Sequence, residues 1–140
     1  MADLQIHVGQ IEDLEAGLRA VRDAVFIDEQ NVPKEIEWDG SDAHFTHVLV
    51  TDGTEPIACG RIDATGRVGR MAVVADRRGE GIGAMVLERL EAIGRGMKLD
   101  RIHLSSQVSA IGFYEKLGYQ VIGETFEEAA IPHRKMVKRI

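Results

Sequence analysis

The sequence predicts a mixed α/β domain, a mostly antiparallel sheet with helices on both faces, spanning residues 1–140 as a single domain. Three observations carry this. Apolar residues alternate with polar ones in several short runs, they recur at spacings of three and four in two longer runs, and three of the short runs lie between the longer two with brief turn-rich joints.

Leu4, Ile6 and Val8 alternate as a half-buried strand does, and Ile11, Leu14, Leu18, Val21 and Val25 then repeat at helical spacing. From Phe26 to Asp42 the periodicity breaks around Pro33, Trp38 and Gly40, which predicts a short helix leading into a loop. FTHVLV and PIACGRI, joined by TDGTE, read as an antiparallel hairpin, and RVGRMAVV follows the turn at Thr65 and Gly66 as the third strand of a meander. Ile82, Val86, Leu90, Ile93 and Met97 mark the apolar face of a second helix, with Glu88, Arg89, Glu91 and Arg95 on its other side. RIHLS is a compact strand. Ser109 to Leu117 is a short helix stopped by Gly118, and Tyr119 to Ile122 and His133 to Ile140 supply the last two strands.

A chain of 140 residues with 44% hydrophobic content can bury one core. It has no run of about 18 apolar residues, and MADLQIHVGQ lacks the basic start and apolar stretch of a signal peptide, so a cytoplasmic location away from membranes is expected. The single cysteine, Cys59, excludes an internal disulfide and a CxxC metal site, and reads as a small buried hydrophobe. No metal is expected. A net charge of -6 argues against general binding to nucleic acid or anionic membranes, so any anionic ligand must be held by a local site. A homodimer is compatible with the sequence, which does not fix an oligomeric state.

That local site is legible at VVADRRGEGIGA, where a strand runs into a glycine-rich turn and then a helix. The first N–H groups of a helix have no intrahelical partner and sit at the positive end of its dipole, so they bind phosphate where the backbone is accessible. Gly79, Gly81 and Gly83 remove obstructing Cβ atoms, and Arg77 or Arg78 adds charge. A bare GxG can also be a flexible turn; the strand before it and the helix after it favour the ligand site. A P-loop would need Gly-Lys followed by Ser or Thr, and this turn closes Gly83-Ala84-Met85 instead. A dinucleotide fingerprint would open a βαβ unit, and this turn follows three antiparallel strands.

The turn resembles the pyrophosphate loop of the GNAT N-acetyltransferase superfamily, Gln or Arg, two residues, Gly, any residue, then Gly or Ala, which Arg78, Gly81 and Gly83 match. AIGFYEKLGY is similar to the family's late helix-to-strand motif through Ala110, Phe113, Tyr114, Gly118 and Tyr119. The order of elements also follows the family along nearly the whole chain. Gln107 stands where the family usually has asparagine, which leaves the contact normally made by asparagine unassigned. A narrower likeness, to ElaA-type members, runs through VFIDEQNVPKEIEWDGSD and IPHRKM.

The resemblance implies an acyltransferase that moves acetyl from acetyl-CoA, its cosubstrate, to an amine by direct attack. CoA would be bound through Arg78, Gly79, Gly81, Ile82, Gly83 and Ala84, with Gln107, Ala110 and Phe113 along its arm. Backbone N–H groups of Met71, Ala72 and Val73 would stabilise the oxyanion, and Tyr114 would protonate the departing thiolate. An alkyl amine, of pKa about 10.4, must lose a proton before attacking, so a base is required. Glu29, His44, His47, Glu127 and His133 are the candidates; His47 reads as a core-edge histidine, and Glu29, in the region that covers the acceptor in related folds, is the choice. A solvated face explains Lys116 more simply than a CoA 3′-phosphate contact. A non-catalytic CoA-binding module and an interaction scaffold are the competing function classes. Small amines, aminoglycosides, polyamines and protein amino groups all stay open as acceptors.

Overall fold

The computed structural model describes residues 2–140. Strands β1 (Leu4–Gly9), β2 (Phe45–Asp52), β3 (Glu55–Asp63), β4 (Arg67–Val73), β5 (Arg101–Gln107), β6 (Gln120–Glu128) and β7 (Ile131–Arg139) form one sheet in the order β1-β2-β3-β4-β5-β7-β6. Every neighbouring pair is antiparallel except β4 and β5. Helix α1 (Ile11–Arg22) covers one face; α3 (Ile82–Gly96) and α4 (Ile111–Lys116) pack on the other, while the short α2 (Lys34–Glu37) links α1 to β2.

Covering both faces explains why β2 and β3 read as nearly unbroken apolar runs. Successive side chains feed opposite cores. Val48, Val50, Ala58 and Ile62 join Val86, Leu87 and Leu90 of α3, whereas Leu49 and Cys59 join Leu18, Val21 and Val25 on the α1 side. Gly60 lets α3 approach the sheet, since a Cβ there would lie 2.9 Å from both Val86 and Leu90 methyl carbons. Among the described residues no helix is long and apolar enough to cross a membrane.

Two stretches differ from the sequence expectation. The short helix expected between Phe26 and Asp42 is α2, but it does not follow α1 directly; the chain continues from α1 through a π-helical turn, Asp23–Glu29, before α2 and a 3-10 turn at Ser41–His44. A buried ionic cluster organises that stretch. Arg22, only 1% exposed, donates to Glu37 Oε2 and Asp42 Oδ1, both at 2.7 Å, and lies over the Trp38 ring. Secondly, β6 runs on to Glu128, because a two-residue turn at Ala129 and Ala130 pairs Glu128 with Ile131. Both alanines have positive φ, 53° and 61°, in a turn where asparagine and glycine are the usual residues.

Candidate active site

The site arises where β4 and β5 part. They pair only through Arg67 with His103 and Val68 with Leu104. Beyond that point β5 keeps to β7 as far as Gln107 opposite His133, and β4 keeps to β3. A bulge at Arg70, whose φ is +50°, sets Arg70 and Met71 against Gly60 alone and bends β4. From Gly69 to Val73 the edge of β4 that faces β5 has no strand partner. A cavity of about 860 Å³ fills the gap, reached by Met71, Ala72 and Val73, by Gln107 and Ala110, and by Phe113 and Tyr114 of α4.

One end of this cavity is the glycine turn. Gly81 caps α3 with φ +80°, no side chain caps the helix, and no acid stands in its first turn. A Cβ at Gly79 or Gly81 would point into open space, while one at Gly83 would meet the Phe113 ring at 3.2 Å. Gly79, Gly81, Ile82, Gly83 and Ala84 all line the cavity. The turn thus presents free helix N–H groups to an open cradle, which fits a phosphate or pyrophosphate ligand.

Arg78 is less free than the sequence implies. Its Nε donates to the Val73 carbonyl at 2.9 Å, and its two terminal nitrogens each donate to a Glu29 carboxylate oxygen at 2.7 Å. The same pair bears on Glu29, the candidate base. Arg78's hydrogen bonds, helped by its charge, hold the Glu29 carboxyl below the usual carboxylate range against a smaller opposing effect of desolvation, so it is a weaker proton acceptor. Glu29 is also absent from the cavity wall, where its neighbour Gln30 stands instead and receives a 2.8 Å hydrogen bond from Gln107 Nε2. That bond is what glutamine does at the position where asparagine was expected.

Tyr114 lies where the sequence places it. Its hydroxyl has no hydrogen-bond partner among the described residues, and desolvation pushes its pKa up to about 12, so it is a neutral donor at any ordinary pH. Its ring stands edge-on to Phe113 and to Tyr119, 5.0 and 5.9 Å away. Tyr119, by contrast, donates to the buried Glu91 carboxylate at 2.7 Å and belongs to the core.

Of the histidines, His47 is buried with Nε2 3.1 Å from the Asp42 carbonyl; burial lowers its pKa and keeps it neutral. His44 and Glu127 do not line the cavity; His133 does. Its Nδ1 lies 2.6 Å from the Ile131 carbonyl, which can only accept, so Nδ1 carries a hydrogen and, in the neutral imidazole, Nε2 holds the lone pair. Glu128 stands 3.6 Å from Nε2, and Phe126 stacks on the ring. The sequence offered His133 only as one candidate of five. It gave no sign of Arg61 and Arg70, which also reach the cavity and whose partners, Asp42 and Glu37, lie far away in the chain.

A helix start open to phosphate, at one end of a cleft between parted strands with a neutral acid in its wall, is an arrangement that suits a phosphate-bearing cosubstrate. The chain belongs to the GNAT acetyltransferase family: the family model described as "Acetyltransferase (GNAT) domain" matches residues 11–140. It is 37% identical over 122 residues to the uncharacterized N-acetyltransferase YjcF of Bacillus subtilis strain 168, covering 84% of this chain and 87% of that one. Among solved structures it is similar to an acyl-CoA N-acyltransferase from Pseudomonas aeruginosa, with a TM-score of 0.86, 26% identity and 97% and 99% of the two chains covered. Escherichia coli ElaA gives 0.85 at 28% identity, with 96% and 99% covered. The chain is therefore a transferase of a family whose cosubstrate is a CoA thioester.

Proposed function

We propose that the chain transfers acetyl from acetyl-CoA to a primary amine by direct attack in the cleft between β4 and β5. The observation that carries this is the Tyr114 hydroxyl, a donor without a partner among the described residues, on the same cavity as the open start of α3. The residues fit the cosubstrate. N–H groups at the α3 start hold its phosphates, Ala110 and Phe113 line its arm, and the unpaired edge of β4 around Met71, Ala72 and Val73 faces the thioester carbonyl.

His133 Nε2 takes a proton from the amine, in place of Glu29, and Glu128 stabilises the imidazolium that results. The amine nitrogen forms its bond to the acyl carbon while β4 N–H groups stabilise the oxyanion. As the carbon–sulfur bond breaks, Tyr114 gives its proton to the sulfur and the proton left on the former amine nitrogen returns to the tyrosinate, leaving a neutral amide and the CoA thiol. A tyrosine of pKa about 12 stays protonated until the carbon–sulfur bond breaks and charge develops on the sulfur.

Thiol release from acetyl-CoA, followed against a panel of primary amines, tests the reading. Amine-dependent release is expected. Acetyl-CoA that binds tightly, yet releases no thiol with any amine, would support a non-catalytic module instead.

A further inference from the structure

The end of the cavity away from the glycine turn carries positive charge that a CoA thioester leaves unmatched. Arg61, Arg67 and Arg70 line it from β3 and β4. Arg67 begins β4, roughly 20 Å of strand before Val73 at the turn. The phosphates are therefore held elsewhere. This happens in a chain of net charge -6, so the positive end is a local construction against the average.

The charges behind it do not balance. Arg22, Arg61 and Arg70 face two buried carboxylates, Glu37 and Asp42. A third acid, Asp39, is 46% exposed and comes no nearer to Arg70 than 3.8 Å. Arg61 is 4% exposed, and its Nε is buried with no hydrogen-bond acceptor. Burial first, and then the Arg70 charge, bring the Arg61 pKa down to about 10. The Arg67 side chain makes no ion pair among the described residues, leaving it free for a ligand. Among the described residues only Glu37 and Glu128 place carboxylates on the cavity wall, and Glu37 is already engaged by Arg22 and Arg70.

We infer that the acceptor is a small primary amine that also bears a carboxylate, which docks against Arg61, Arg67 and Arg70 while its amine meets the thioester. The inference rests on the transferase reading and narrows its substrate class. Arginine holds a carboxylate through two parallel N–H donors, which fixes direction as well as position. Polyamines and aminoglycosides would bring further positive charge to arginines that already repel each other, so they are the acceptors this cavity rejects.

The test is CoA thiol release with matched pairs: β-alanine, 4-aminobutyrate and 6-aminohexanoate, each against its own carboxamide, with spermidine as the cationic comparison. At least one acid should exceed its amide tenfold or more in kcat/KM. In Arg67→Ala that ratio should fall at least fivefold, chiefly through KM for the acid. Turnover of amides or spermidine as good as that of the acids, or a ratio unchanged in Arg67→Ala, overturns the inference and leaves the transferase reading standing. No thiol release with any of these amines overturns both.

Discussion

Helices α1 and α3 are amphipathic, of 12 and 15 residues, and pack on opposite faces of the same sheet, yet they begin in opposite ways. At the start of α1 the Gln10 N–H donates to Asp13 Oδ2 at 3.2 Å, and Glu12 and Asp13 place negative charge on the positive end of the dipole. That start satisfies itself. At α3 the cap is Gly81, no side chain reaches back, no acid stands in the first turn, and the helix opens onto the parted strands. The few residues before and inside the first turn decide whether a helix start is structure or site, and the neighbouring cleft decides what the site does. The two tyrosines repeat the lesson, since Tyr119 has its hydroxyl engaged by Glu91 and Tyr114 does not.

The sharpest way to break the comparison is through the tyrosines. Tyr114→Phe removes a donor without disturbing the ring packing, so kcat should fall by about 10²-fold or more with acetyl-CoA affinity and melting temperature unchanged. Tyr119→Phe should do the reverse. It leaves the buried Glu91 carboxylate with Lys138 at 3.1 Å as its remaining close partner, and should lose about 1–3 kcal/mol in a urea titration with kcat retained. Equal kcat losses in both variants would erase the distinction. A smaller effect is expected at the closed helix start, where Asp13→Ala should destabilise the fold by about 1 kcal/mol in the same titration. Its acetyl-CoA affinity should not move; a change there would mean that α1 contributes to the ligand site.

Much of the frame was legible because it is local. Periodicity alone marks α1, α3 and the meander from Phe45 to Val73, and the glycine turn announces itself by three glycines between a strand and a helix. What escaped is either non-local or chemically unmarked. The hairpin between β6 and β7 turns on two alanines that give no turn signal. The parting of β4 from β5 depends on pairing between strands more than 30 residues apart in sequence. The pairing of Glu29 was hidden for the same reason, since its partner Arg78 lies 49 positions away and makes the candidate base half of an ion pair. His133 could be named but not chosen, because its merit lies in the Ile131 carbonyl that fixes its tautomer and in the cavity it faces.

Calorimetric titration of acetyl-CoA into wild type and Gly81→Asn tests the central claim most directly, that the open start of α3 holds the cosubstrate's pyrophosphate. Asparagine tolerates the φ of +80° at this position far better than a β-branched residue, so the variant should fold, and its side chain enters the open space above the turn. The account predicts acetyl-CoA affinity at least tenfold weaker in the variant, about 1.4 kcal/mol, with S-acetylpantetheine, which lacks the pyrophosphate, binding both proteins equally. Unchanged acetyl-CoA affinity in a folded Gly81→Asn protein would contradict it and leave the glycine turn as architecture alone.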